Sequence, residues 1–126
     1  MPVQIGESID FFGRNIRLRK LSEEELSQRK GKGKSYLKQC IDCDKIGCHP
    51  ILRNRRTGDT FTSGKRRVTK TVKKLFIEDK VPQRDRDEMP ILSDETGLVI
   101  WMKDYGVSAP FAADENTVSA IIVELM

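Results

Sequence analysis

Long apolar runs are missing from this 126-residue chain. The longest, Leu98–Met102 and Ala120–Val123, fall far short of the roughly 20 residues that a bilayer requires. The start, Met1 to Glu7, has no basic region followed by an apolar one, so no leader is expected and the chain reads as soluble and cytoplasmic, with no membrane partner. Histidine occurs once, at His49, and no second base stands beside a nucleophile. That leaves little for acid–base or covalent catalysis, and no catalytic residue is expected in this chain. Cysteine is scarce and odd in number: Cys40, Cys43 and Cys48 cannot build a disulfide framework and read as reduced thiols. Aromatic residues make up only 6% of the chain. Internal repeats are absent as well.

Charge is present in abundance, and it is segregated. Of all residues 33% are charged, with a formal net charge of +4. Residues 1–52 carry ten basic and seven acidic groups, residues 53–86 twelve and four, and residues 87–126 one and eight. A basic central block followed by an acidic tail gives one positive and one negative face if the tail packs behind the block, the footprint of a nucleic-acid binder. The alternative is a protein-interaction domain whose basic block is merely solvated.

Local patterns predict an α+β fold with mostly antiparallel sheet, one amphipathic helix and one short helix. Ile9–Phe12 and Ile16–Leu21 flank Gly13-Arg14-Asn15 as a hairpin, with Ile16 and Leu18 alternating with Arg17 and Arg19. Ser22 and Glu25 fit a capping box opening a helical turn, and the Gly/Lys-rich stretch Ser27–Lys34 reads as a mobile loop. Tyr36–Ile41 and Ile51–Arg55 read as strands, with a turn at Thr57-Gly58-Asp59. Val68, Val72, Leu75 and Phe76 then form one helical stripe, with Lys70, Lys73, Lys74 and Lys80 opposite, in a helix that stops at Val81 before Pro82. Gln83–Met89 holds a short helix between two prolines. Ile91-Leu92 and Leu98–Met102 form a hairpin around Asp94–Gly97, and Thr117–Leu125 is a closing strand.

Two motifs invite specific chemistry. Cys40-x2-Cys43-x4-Cys48-His49 offers four soft ligands and would make this a zinc-dependent nucleic-acid-binding protein. Adjacent Cys48 and His49 would both have to turn toward one metal, however, and a second CxxC pair is lacking; Cys40 reads better as a small buried hydrophobe, and no metal is expected. Thr62-Ser63-Gly64-Lys65-Arg66 is only faintly like a phosphate loop, because the GxxxxGK[ST] pattern is not met.

Five ordered blocks carry a resemblance: Asp42–Ile46, Arg53-x-Arg55-Arg56-Thr57-Gly58-Asp59, Lys73–Phe76, Lys80-Val81-Pro82-x3-Arg86-Asp87-x2-Pro90-Ile91-Leu92, and Gly97-x3-Trp101. Together they resemble the C-terminal substrate-binding domain of bacterial tRNA(Ile)-lysidine synthase. Thr57 departs from the proline common in that family's turn, and Cys40 and Cys43 stand where it often has aromatics. The resemblance implies a small three-layer β-sandwich-like module, also similar to one in the phenylalanyl-tRNA synthetase β chain. It implies residues 1–38 as a variable strand and loop region leading into a tRNA-binding domain at 39–126. It further implies a parent ligase that uses ATP to attach lysine to the wobble cytidine of a tRNA(Ile) with a CAU anticodon, through a Ser-Gly-Gly-x-Asp-Ser loop that this chain lacks. The chain itself then needs no cofactor, is inactive alone, grips the tRNA body at the acceptor stem, and leaves room for a homodimer formed through the parent enzyme. Arg53, Arg55, Arg56, Lys65, Arg66, Arg67, Lys70, Lys73 and Lys74 are the expected tRNA contacts, since Lys and Arg on a rigid helix and its loops suit phosphates across an A-form minor groove. Of Arg55 and Arg56, one is expected to turn inward to Asp59 or Asp87.

Overall fold

In a computed structural model that describes residues 2–47, 50–63 and 67–125, the first hairpin forms where apolar and basic residues alternate. Strand β1 (Ser8–Phe11) turns through Phe12-Gly13 into β2 (Arg14–Lys20), with Ile9 opposite Ile16. Gly13 takes φ +82°, a left-handed conformation in which the lack of a Cβ avoids strain. Along β2, Ile16 and Leu18 are buried while Arg17 and Arg19 reach outward. The last strand, β10 (Ala120–Leu125), pairs antiparallel with β2, and β3 (Ile41–Asp42) pairs with the far edge of β10. The resulting sheet has the order β1-β2-β10-β3. Val3, Ile9, Phe11, Ile16 and Leu18 pack in one cluster with Ile41, Leu52 and Ile121, so the segment ahead of residue 39 shares a sheet and a core with the remainder of the chain.

A second antiparallel sheet contains β4 (Ile51–Arg53), β7 (Ile91–Ser93), β8 (Val99–Met102) and β9 (Gly106–Val107), in the order β4-β7-β8-β9. All four residues of β8 are buried. Leu92 faces Trp101 and Ser93 faces Val99, so Ile100 is an extra, bulged residue. The bulge interrupts strict alternation: Ile100 and Trp101 both join the cluster between the sheets, whereas Val99 and Met102 face the opposite side. There they meet Phe61, Val72 and Phe76, contributed by a ribbon of β5 (Thr60–Thr62) and β6 (Thr69–Thr71) and by helix α3 (Val72–Glu78). On the outer face of the first sheet, Ala120 and Ile122 pack with Leu26 and Leu37 from α1 (Glu23–Lys32) and α2 (Lys34–Leu37). The fold is therefore α+β, two packed sheets with short helices on their outer faces. Among the described residues no helix is long and apolar enough to cross a membrane.

Three local expectations are corrected. The capping box is present, with the Ser22 hydroxyl accepting from the Glu25 N–H at 3.1 Å and the Glu25 carboxylate accepting from the Ser22 N–H at 3.0 Å. It opens ten residues of helix, not one turn, so Ser27–Lys32 is helical rather than loop. Three glutamates at its start and Arg29, Lys30 and Lys32 at its end suit the helix dipole, and burial of Leu26 anchors it. Tyr36–Ile41 is not a strand, since Leu37 and Cys40 enter the same cluster at helical spacing and pairing starts only at Ile41. The stripe beginning at Val68 also fails: Thr69–Thr71 pair as β6, Val68 is exposed, and α3 starts at Val72 with Thr71 as its cap. That helix closes at Glu78 by a Schellman arrangement, with the Val81 N–H on Phe76 O at 2.9 Å and the Lys80 N–H on Ile77 O at 3.2 Å. The short helix α4 (Gln83–Glu88) follows Pro82, as the sequence predicts.

Candidate nucleic-acid interface

Strand β4 ends in Arg53, and the chain then makes a tight turn through Arg56–Asp59, with the Asp59 N–H on Arg56 O at 3.1 Å and Gly58 at φ +90°. The turn is braced from inside. Arg53 is buried and grips Asp59 with both guanidinium ends, Nη1–Oδ2 2.8 Å and Nη2–Oδ1 2.9 Å. It also donates to Ser93 Oγ at 3.2 Å, Asn54 O at 2.9 Å and Gly97 O at 3.1 Å. Asp59 in turn accepts the Arg56 N–H at 2.7 Å, and its carbonyl accepts the Val72 N–H at 2.9 Å, tying the turn to the start of α3. Arg53 therefore cannot face a ligand, which corrects its place among the expected contacts. The reason is that Asp59, six residues on, returns beneath the strand end and neutralises it.

With Asp59 occupied, Arg55 pairs with Asp87 of α4, Nη2–Oδ1 3.1 Å, while the side chain of Arg56 stays exposed. Hydrogen bonds from Arg55 and then Gln83 hold the Asp87 carboxyl below the usual carboxylate range. The Asn54 side-chain amide donates to Asp87 O, fixing α4 against the turn. Arg86 donates to Val81 O at 2.7 Å, so it closes the corner between α3 and α4. Between the turn and α3 lies a groove of about 600 Å³, lined by Arg55, Arg56, Thr71, Lys73 and Asp87 among others. Lys74 is exposed beside Lys73 on the same short helix. Arg56 and Lys73, one on the turn and one on α3, are the exposed cations of the groove; with Arg55 paired to Asp87 and Asp59 held by Arg53, they leave it a net positive charge suited to an anionic chain.

The remaining expected contacts lie elsewhere. Lys70 is on β6, not on the helix, and its Nζ pairs with Glu78 at 2.8 Å across α3. Arg67 stands at the far end of the ribbon and lines a different cavity, with Lys34, Lys38 and Lys45. Lys65, Arg66, Cys48 and His49 lie outside the described residues, as does most of the phosphate-loop-like stretch. Cys40 is buried in the cluster under α1 and α2, its thiol pushed up by that burial, whereas Cys43 packs against the cluster between the sheets. Sequence reasoning missed Thr71, whose Oγ1 accepts the Lys74 N–H at 3.1 Å, and the basic residues of α1 and α2. The signal for the latter was the Lys/Arg density of residues 29–38, assigned above to a loop and a strand.

Residues 51–123 match the family described as the TilS substrate C-terminal domain. A tRNA(Ile)-lysidine synthase of Caldanaerobacter subterraneus subsp. tengcongensis is 33% identical over 84 residues, 67% of this chain and 18% of that protein. The bifunctional protein TilS/HprT of Listeria monocytogenes is 35% identical over 69 residues, 55% of this chain and 11% of that one. The chain thus spans less than a fifth of the length of these curated relatives. A crystal structure of a TILS C-terminal domain aligns with a TM-score of 0.75 at 23% identity, covering 98% of this chain and 92% of that one, a likeness of fold.

Proposed function

Because this chain belongs to the TilS substrate C-terminal domain family, we propose that it grips tRNA(Ile) with a CAU anticodon for a tRNA(Ile)-lysidine synthase, through the groove of Arg55, Arg56 and Lys73. In this reading the parent is an ATP-dependent ligase that attaches lysine to the wobble cytidine. The steps that use ATP and lysine belong to another domain of the parent, and this chain supplies position rather than chemistry. The observation that carries the proposal is the groove itself: the exposed Arg56 and Lys73 converge on it beside Arg55, which is half-buried and paired with Asp87, while a buried ion pair fixes the turn beneath them. An A-form stem displays phosphates and 2′-hydroxyls across a shallow minor groove. Rigid cations from a turn and a helix start can bridge such phosphates without reading sequence, which suits a grip on the acceptor stem far from the modified base.

The test is tRNA titration at several salt concentrations with wild type and an Arg55→Ala/Arg56→Ala/Lys73→Ala variant. Removal of each cation that meets a phosphate should lower the log–log salt slope by about one unit and weaken binding at low salt. Unchanged slope and affinity would refute the assignment and favour the reading of the basic block as solvated surface.

A further inference from the structure

A second concavity lies away from this groove, and none of its cations except Arg67 was among the expected contacts. It comprises two neighbouring cavities that share Lys38 and Val107 in their linings, one of about 810 Å³ lined also by Phe61, Leu75, Trp101, Tyr105 and Val123, the other of about 460 Å³. Helices α1 and α2 form one wall, with Arg29, Lys34 and Lys38; the ribbon and α3 form the other, with Arg67 at the ribbon's far end. Lys45 adds a fifth cation, against Asp114 and Glu115, and Lys45 and Asp114 already pair at 3.1 Å. The floor is apolar: Tyr105, Leu75, Ile122 and Val123 are half-buried along it, and beneath them lie the edges of the core residues Trp101 and Phe61, the latter edge to face with Tyr105 at 6.1 Å.

Resting on the tRNA-binding reading above, we propose that this concavity holds an unpaired RNA strand, distinct from the paired stem assigned to the Arg55–Lys73 groove. Cations on both walls with few acids among them call for a polyanion. A duplex turns its phosphates outward and hides the faces of its bases, so it has no use for an apolar floor. An unpaired strand offers both, phosphates to the walls and base faces to the floor. The two sites together hold a stem and the single strand that continues from it.

Trp101 is the sole tryptophan of the chain and lines the concavity, so its emission reports occupancy there. The experiment titrates the intact chain with a short oligouridine, a blunt RNA duplex and an oligoglutamate. Oligouridine should change Trp101 emission, and Lys34→Glu/Arg67→Glu, both at exposed positions, should weaken its binding by about tenfold or more. Duplex binding should stay within about twofold in that variant, because distant sites act independently, and should fall in the Arg55→Ala/Arg56→Ala/Lys73→Ala variant. Thermal melting checks that both variants fold. Duplex binding without an oligouridine response overturns this inference and leaves the functional reading standing; binding of neither RNA overturns both. Oligoglutamate matching oligouridine in affinity and emission change overturns it in favour of an acidic protein partner.

Discussion

Replacing Asp59 by asparagine removes the counter-charge of Arg53 at a point where both side chains are only 6% exposed. Asparagine keeps one acceptor oxygen but turns an NH2 group toward a guanidinium that has only donors, so one arm of the bidentate contact becomes donor against donor. The Arg56 N–H, now on Asp59 Oδ2, competes for what remains. Breaking a buried pair by removing one partner costs about 3–5 kcal/mol, a large part of the roughly 5–15 kcal/mol that holds a domain together. For a chain of this length that corresponds to a fall in melting temperature of roughly 10–20 °C. Below the new midpoint the variant should remain folded by circular dichroism yet bind tRNA more weakly, because the turn carrying Arg55 and Arg56 is no longer braced. Replacing the pair with Arg53→Met/Asp59→Leu should recover only part of the stability, because it removes the unpaired charge but leaves the Arg56 N–H, Ser93 Oγ and Gly97 O without those partners. A melting temperature for Asp59→Asn within about 3 °C of wild type would show that the buried pair does not hold the turn.

Truncation of α3 separates its two faces: Phe76→Ala, at a fully buried ring, should cost about 3–5 kcal/mol, and Lys74→Ala no more than about 0.5 kcal/mol, both read from urea unfolding. In acid, Glu25, Asp87, Asp114 and Glu124 matter, each held below the usual carboxylate range, by the Ser22 N–H, Arg55, Lys45 and Arg17 respectively. Groups so depressed stabilise the fold above their unfolded values and lose that effect as pH falls through the folded ones, so melting temperature should hold from neutral pH down to about 5 and decline below about 4. Glu124→Gln should flatten that decline. In alkali the sign reverses: burial, and then the hydrogen bond to Asp79 at 2.5 Å, raise the Tyr105 hydroxyl above its ordinary value. Its contribution is complete below about pH 10 and is lost as pH rises further, and the tyrosinate absorbance missing from Tyr105→Phe should appear only in that higher range.

What could be read from sequence was whatever neighbours in the chain decide. Gly13 marked the first hairpin, Ser22 and Glu25 the start of α1, and Asp94, which accepts the Thr96 and Leu98 N–H groups at 2.9 Å each, the turn before β8. The misreadings arose where distant contacts overrule local habit. Gly31 and the flanking lysines look unable to fold, but Leu26 of α1 and Leu37 of α2 reach the apolar face of β10 some ninety positions away and hold both helices in place. Val68 fits a helical stripe, yet a hydroxyl contact between Thr62 and Thr69 at 2.8 Å and pairing of Phe61 with Lys70 hold that segment as strand. At the candidate site, an arginine-rich run reveals that cations are present but not which one is buried. That choice depended on Asp59 returning beneath the strand end, and on Ser93 and Gly97, both about forty residues along the chain.

Whether tRNA lies along the braced turn and the start of α3 can be read by crosslinking bound tRNA(Ile) to the chain and mapping the attached peptides by mass spectrometry. Attachment is expected within Arg55–Gly58 and at Val72–Lys74, from the paired stem. Crosslinks confined to α4 or to the exposed face of β1 and β2, with none at Arg55, Arg56 or Lys73, would contradict a grip through that groove.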